Sequence, residues 1–468
     1  MKTSTLTDIP DTNLSPDVKK SVAIVLVGNF LDYFDLMLAV HMTVILTKIF
    51  IPGDSALTPI LVAFTFCSSF VIRPFAAIFW GYIGDTIGRV PVLISTTFLM
   101  SISCVLIPNI PSYAEWGTLS AVLFLTLRLV QGFASGGEAI AADVFIAETV
   151  PKPKVYLCSS LVAATCSCGG LVACGIGAIC ILMSPENGWK IPFYIGSGVA
   201  VIGTIARKTL KETPEFVKTL EKKKTKRKFL DLYLSLNFRS RNIPALFALH
   251  LFPAVAFYFS LAYLPSVLIN QLGISPSRVM GQSTLVLFFV MCSEVGYGLL
   301  GLKFHPFSIL KFKMFSLLMV IPVLAIYIDG LTSPLLIFII QVSVACLGQE
   351  LSPAYPIITK GFPVIGRYTS LLLIWAISHS LIYLMTACIF SQVTGFQGLC
   401  LLLFVAASIS LIGLYAFVPE DKMLTLKLAN NSSEDFSLEE ILAEEKKYEK
   451  LDQKEKEQFL KKWLNKIK

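Results

Sequence analysis

From about residue 21 the chain alternates between long apolar runs and short polar breaks. A helix rises about 1.5 Å per residue, so runs of about 20 residues match a hydrocarbon core ~30 Å thick. Marked off between charges and turn residues, the runs fall at about 21–47, 57–81, 91–108, 118–142, 157–183 and 190–206. A second set follows at about 243–269, 281–302, 313–329, 334–358, 366–391 and 396–418. The pattern predicts an all-α integral membrane protein with twelve transmembrane helices in two sets of six.

The sets are separated by "RKTLKETPEFVKTLEKKKTKRKFLDLYLSLNFRSR", residues 207–241, which is polar and basic. The expected organisation is a first six-helix bundle with a short polar lead at 1–207 and a basic linker at 208–241. A second six-helix bundle follows at 242–420, then a charged tail helix at 421–468. Two six-helix bundles joined by a long linker are the layout of carriers that rock around a site near the bilayer midplane.

Composition agrees: 55% of the 468 residues are hydrophobic, 15% are charged, and the mean hydropathy is +0.72, outside the range of ordinary soluble domains. The first 18 residues are polar, with Asp8, Pro10, Asp11 and Asp17, and lack the basic and apolar regions of a cleavable leader. The first apolar run is therefore expected to be a span. Lys and Arg concentrate in alternate loops, at Lys19, Lys20, Arg89, Lys152, Lys154, Lys303, Lys311, Lys313, Lys360 and Arg367. By the positive-inside rule both termini are cytoplasmic. The net charge of +8 follows from this topology and gives no reason to expect nucleic-acid binding.

All eleven cysteines fall in or beside apolar runs without paired metal-ligand spacing, so no metal site is expected. No phosphate-binding loop or nucleotide fingerprint occurs, which argues against an enzyme and leaves an ion gradient as the energy source, with no cofactor. In the tail, Leu438, Ile441, Leu442, Tyr448 and Leu451 share a broken apolar stripe. It reads as a solvated helix, a short self-associating coiled coil, or a helix on the membrane surface.

The segment "GNFLDYFD", residues 28–35, places Asp32 and Asp35 near the middle of the first run. An ionised carboxylate at that depth is costly, so it is protonated or meets a cation, a choice that can bias a conformational equilibrium. Arg73, Arg128 and Glu138 are the other first-half charges at comparable depth. Asp32 and Asp35 are candidates for proton coupling or a cationic head group. Arg73 and Arg128 are candidate counter-charges or carboxylate anchors, since a guanidinium binds a carboxylate bidentately. The competing reading is an acid–arginine lattice that holds helices together. Glu294 and Glu350 are open between site and structural pair. His250 and His379 read as isolated packing or capping residues, and the aromatic run at 257–263 as packing more than as a cage for a quaternary ammonium.

"GYIGDTIGR", residues 81–89, joins the second and third runs. Gly81, Asp85, Gly88 and Arg89 match the signature loop of the major facilitator superfamily, which the segment resembles. Arg128, Gln131 and Gly132 match its R-x-x-Q-G element. With "FVIRPFAAIFWGYIGD", "QGFASGGE", "GWKIPFYIG", "KETPEF" and "GFPVIGRY", the chain resembles the metabolite:proton symporter branch, most of all its proline/betaine transporters. The match is in order across the first half and weaker to about residue 420.

The resemblance implies a multi-pass carrier of the bacterial inner membrane that couples uptake of a small metabolite, here a zwitterionic osmolyte, to proton entry. It also implies gating by Asp85 and Arg89, with Asp143 or Glu148 as partners. The same branch carries organic acids such as dicarboxylates, which is the alternative cargo. A non-transporting membrane sensor is the alternative from another class. One departure stands out: the second-half loop, "GYGLLGLKFHPFSILKFK", keeps Gly298 but has Leu302 where the family repeats the acid.

Overall fold

The computed structural model describes residues 14–51, 69–184, 186–222, 242–327, 333–348, 350–362, 364–392 and 396–429. The polar lead through residue 13, linker residues 223–241 and tail residues 430–468 lie outside them, with the expectations attached to those stretches. The described residues form helices and no strands. The chain groups into one unit ending at Ala416 and a second beginning at Phe417, of which 417–429 are helical.

The first helix, α1 (Pro16–Phe50), starts where Ser15 accepts the Val18 amide at 3.3 Å, with Pro16 and Asp17 in the first turn. A serine cap followed by proline satisfies or removes amides that the first turn cannot pair internally. It is followed by α2 (Arg73–Thr86), α3 (Arg89–Leu106), α4 (Thr118–Glu138), α5 (Ala141–Thr149), α6 (Lys154–Met183) and α7 (Lys190–Arg207). A short helix, α8 (Pro214–Lys222), opens the linker.

The second half comprises α9 (Asn242–Tyr258), α10 (Leu264–Asn270), α11 (Pro276–Gly301) and α12 (Pro306–Tyr327). It continues with α13 (Pro334–Gly348), α14 (Tyr355–Lys360), α15 (Val364–Gln392) and α16 (Phe396–Ala429). Among the described residues nine helical stretches are long and apolar enough to cross a membrane. Large apolar side chains such as Phe75, Leu182, Ile202, Phe312, Met319 and Ile412 stay exposed on the outer surface, as a lipid-facing belt requires.

Small residues bring the halves together. Gly298 on α11 sits against Ser160 on α6, and Gly81 on α2 sits against Thr369 on α15. Close backbone approach through small residues is the usual way helices associate when lipid gives no hydrophobic drive.

Among the described residues three spans are not continuous. The helix path breaks between α4 and α5 at Ala139–Ile140, widens into a π-turn at Phe259–Tyr263 between α9 and α10, and opens between α13 and α14. Irregular backbone at membrane depth survives only where protein or a cavity satisfies its polar groups. The first and third breaks border the same cavity.

Candidate transport cavity and gate

Both halves contribute to that cavity. Asn29 and Tyr33 of α1, Arg73 of α2 and Asp143 of α5 face His250 of α9, Glu350 and Ser352 of the α13–α14 break, and Trp375, His379 and Tyr383 of α15. It offers about 70 Å³ to the centres of water-sized groups, several times the ~10–15 Å³ one water needs. Asn29 is fixed by donating to the Val162 carbonyl at 2.9 Å, and Asp143 accepts from Ser159 at 3.2 Å.

Arg73 is 3% exposed. Its guanidinium lies 4.5 Å from the Phe70 ring centroid and 4.9 Å from that of Trp375, and donates to Ser135 at 3.2 Å. The aromatic faces attract the cation and hold it at the cavity wall. The His379 ring also stacks on Trp375 at 4.3 Å, and His250 lies 5.3 Å from His379. The two histidines are therefore neighbours, which corrects their reading as isolated residues. Nothing in a single sequence joins positions so far apart.

Asp32 and Asp35 do not line this cavity. Both are buried, and each has one carboxylate oxygen with no hydrogen-bond partner. Asp35 instead shares a smaller void with Arg128, Gln131 and Ser135. Arg128 donates to Gln131 at 3.0 Å. Asp32 lies within electrostatic reach of Arg73, Asp35, Glu138 and Arg207.

Glu138 is held differently. Arg207 grips both its oxygens, at 2.8 and 3.0 Å, and Thr96 and Thr97 donate to it at 2.6 and 2.7 Å. This bidentate pair ties α3, α4 and α7 together. Arg207 opens the polar, basic stretch 207–241, yet it ends buried at 1% exposure, its long stem reaching back into the bundle.

At the loop end of α2 the signature residues form a charge cluster across the two halves. Arg89 pairs with Asp85 at 3.3 Å and Glu148 at 3.2 Å, and donates to the Gly84 carbonyl at 2.6 Å. Glu148 also receives Arg367 of α15 at 3.0 Å and Thr213 at 2.6 Å. Asp85 accepts from the backbone and hydroxyl of Thr369 at 2.9 and 2.6 Å. Gly88 has φ +146°, a conformation that side chains disfavour, and a Cβ there would collide with Glu212.

The "KETPEF" segment closes over this cluster. Glu212 accepts the Val90 amide at 3.1 Å, Glu215 pairs with Arg367 at 2.8 Å, and the Phe216 ring lies 4.3 Å from the Arg89 guanidinium. Tyr368 reaches past it and donates to the Gly137 carbonyl beside the α4–α5 break.

The second half has no such cluster at its own loop. Leu302 and Pro306 occupy the signature positions, and a buried pair lies deeper: Lys313 with Glu294 at 3.3 Å, both side chains fully buried. Lys313 also donates to the Glu350 carbonyl at 2.9 Å and sits 4.5 Å from the Tyr297 ring centroid, while Ser352 donates to Glu294. No cluster of acids, histidines and cysteines fit to hold a metal occurs among the described residues.

Two helical halves surround a buried polar cavity, and ion pairs at one end join one half to the other. Residues 25–381 match the Major Facilitator Superfamily, and the chain belongs to it. This is a transporter family and not an enzyme family. Among curated proteins, the chain is 30% identical over 308 residues to the proline/betaine transporter of Salmonella typhimurium. It is 28% identical to the glycine betaine/proline/ectoine/pipecolic acid transporter OusA of Dickeya dadantii. Each alignment covers 63% of this chain and 62% of the relative, so the match spans under two thirds of those proteins. Among solved structures, the proton:xylose symporter XylE bound to 6-bromo-6-deoxy-D-glucose superposes with TM-score 0.68 at 16% identity, over 86% of this chain and 96% of that one. The human organic anion transporter MFSD10 superposes with TM-score 0.63 at 14% identity, over 86% and 100%. These likenesses establish the fold.

Proposed function

We propose that this chain is a secondary active transporter that carries a small zwitterionic osmolyte, of the proline or betaine type, together with protons by alternating access. In this reading it spans the bacterial inner membrane twelve times, with both termini and the signature-loop end in the cytoplasm. The observation that carries the proposal is the cavity between the halves, shut at the loop end by the Arg89–Glu148–Arg367 cluster. Because those ion pairs cross between the halves, separating them opens the cavity toward that side while leaving each bundle intact. The names of the relatives support the osmolyte class.

Proton coupling is assigned to Asp32 and Asp35, buried carboxylates with unsatisfied oxygens beside Arg73 and Arg128. A proton taken up there removes a charge that the arginines otherwise attract. The Arg73 guanidinium in the cavity lining also favours a second reading, in which the cargo is an organic acid.

Uptake of labelled proline and glycine betaine into proteoliposomes, with and without an imposed inward proton gradient, tests the proposal. Gradient-dependent accumulation is expected, and absence of uptake from folded protein sinks the osmolyte reading. Asp32→Asn is expected to lose gradient-driven accumulation while substrate exchange persists. Unchanged accumulation removes Asp32 from the coupling role.

A further inference from the structure

The stretch between α13 and α14 leaves helical geometry in the middle of the tenth apolar run, and its two sides face different surroundings. Behind it, the Glu350 carbonyl accepts from Lys313 and the Ser352 hydroxyl donates to Glu294, so the Lys313–Glu294 pair clamps the backbone in place. In front, Glu350 is one of the residues that line the central cavity. Its carboxylate makes no hydrogen bond or ion pair among the described residues, whereas the other cavity carboxylate, Asp143, is engaged by Ser159. The first half contributes Arg73, whose Nε is buried without a partner.

Among the described residues the cavity thus has one carboxyl group without a partner and one guanidinium, contributed by different halves. A single negative or positive solute would satisfy one of them and leave the other desolvated, at a cost that buried charges do not tolerate. A solute bearing both charges satisfies both. Aromatic surface from Trp375, Tyr383 and Phe257 completes the lining, so a quaternary nitrogen with no N–H donors is accepted as readily as an ammonium.

We propose that Glu350 is the residue that binds the positive group of the cargo, that Arg73 takes its carboxylate, and that Lys313 and Glu294 are positioning residues which fix Glu350 from behind. The inference rests on the zwitterion reading above. It moves the cation-binding role away from Asp32 and Asp35, which lie outside the cavity, and leaves them to protons.

The test is uptake kinetics of labelled glycine betaine in proteoliposomes for the wild type, Glu350→Gln, Glu350→Asp and the charge-neutral double variant Lys313→Met/Glu294→Gln. Folding is checked by size-exclusion elution in detergent. Losing the charge–charge contact with the quaternary nitrogen corresponds to a KM raised about 10- to 100-fold in Glu350→Gln. Glu350→Asp, which keeps the charge, is expected within a few-fold of wild type. The double variant is expected to raise KM while retaining maximal rate, since a clamp that only holds helices would lower the amount of folded protein and leave KM alone. Active wild type with an unchanged KM in folded Glu350→Gln overturns the assignment of Glu350. Unchanged KM in the double variant overturns the positioning role. Wild type that carries no zwitterion overturns the reading beneath both. If Glu350→Gln does not fold, Glu350→Asp decides alone: a KM near wild type supports the assignment, and a rise of 10-fold or more overturns it.

Discussion

The two halves solve one problem, tying three helices together near the loop end, at different depths and with opposite consequences. In the first half the charges sit at the helix ends: Asp85 closes α2, Arg89 opens α3 and Glu148 closes α5. Their network reaches out to Arg367 and Thr369 in the other half. In the second half Glu294 lies about two turns before the end of α11 and Lys313 about two turns past the start of α12, roughly 10 Å deeper. That pair, with Ser352 and the Glu350 carbonyl, stays within its own half. If the halves rock as proposed, contacts that cross between them break and re-form, whereas contacts within a half take no part in opening. In the proposed mechanism the difference is that between a gate, which crosses the halves, and a staple, which does not.

The comparison breaks most sharply at Lys313. Lys313→Met strands a fully buried carboxylate, which costs about 3–5 kcal/mol. It is expected to appear as a large drop in thermal stability of the purified protein, with most of it regained on adding Glu294→Gln. Glu148→Gln comes next, at about 2–3 kcal/mol for charge-assisted bonds lost to Arg89 and Arg367. Because this network spans the halves, maleimide labelling of a cysteine introduced at Ala139 is expected to rise from the loop side, which Lys313→Met does not produce. Gly84→Ala pushes a methyl into the Tyr368 ring, at about 1–2 kcal/mol, and is expected to shift the same labelling by less. Leu302→Asp restores the missing acid but faces Pro306 where the partner arginine belongs. A change within about 0.5 kcal/mol and unaltered transport are expected. Improved transport would show that the acid by itself makes a gate.

Hydropathy made the helices legible because each must bury its own backbone in lipid. The run at 157–183 appears as Lys154–Met183 and that at 190–206 as Lys190–Arg207. The signature residues were legible too, since a glycine-flanked acid and cation at a short loop have few other uses. What escaped was decided by side-chain reach and by pairing between distant segments. "GGEAIAA" gives no sign of the α4–α5 break because small apolar residues suit a helix and a kink alike. Lys313 counted as a loop cation and Arg207 as the start of a polar stretch, yet both turn inward to buried acids. The residue that could have found them was the acid: Glu138 and Glu294 each needed a cation within reach.

Trp375 gives the cavity an optical property. Of the five tryptophans in the chain, it is the one that borders the cavity among the described residues, with the Arg73 guanidinium close to its ring and the His379 imidazole stacked on it. A solute that draws Arg73 off the indole changes the field its excited state experiences, so occupancy of the cavity is written into the emission of a single side chain. A chain with its other tryptophans replaced by phenylalanine would report binding as a spectrum, without a label and without a membrane gradient.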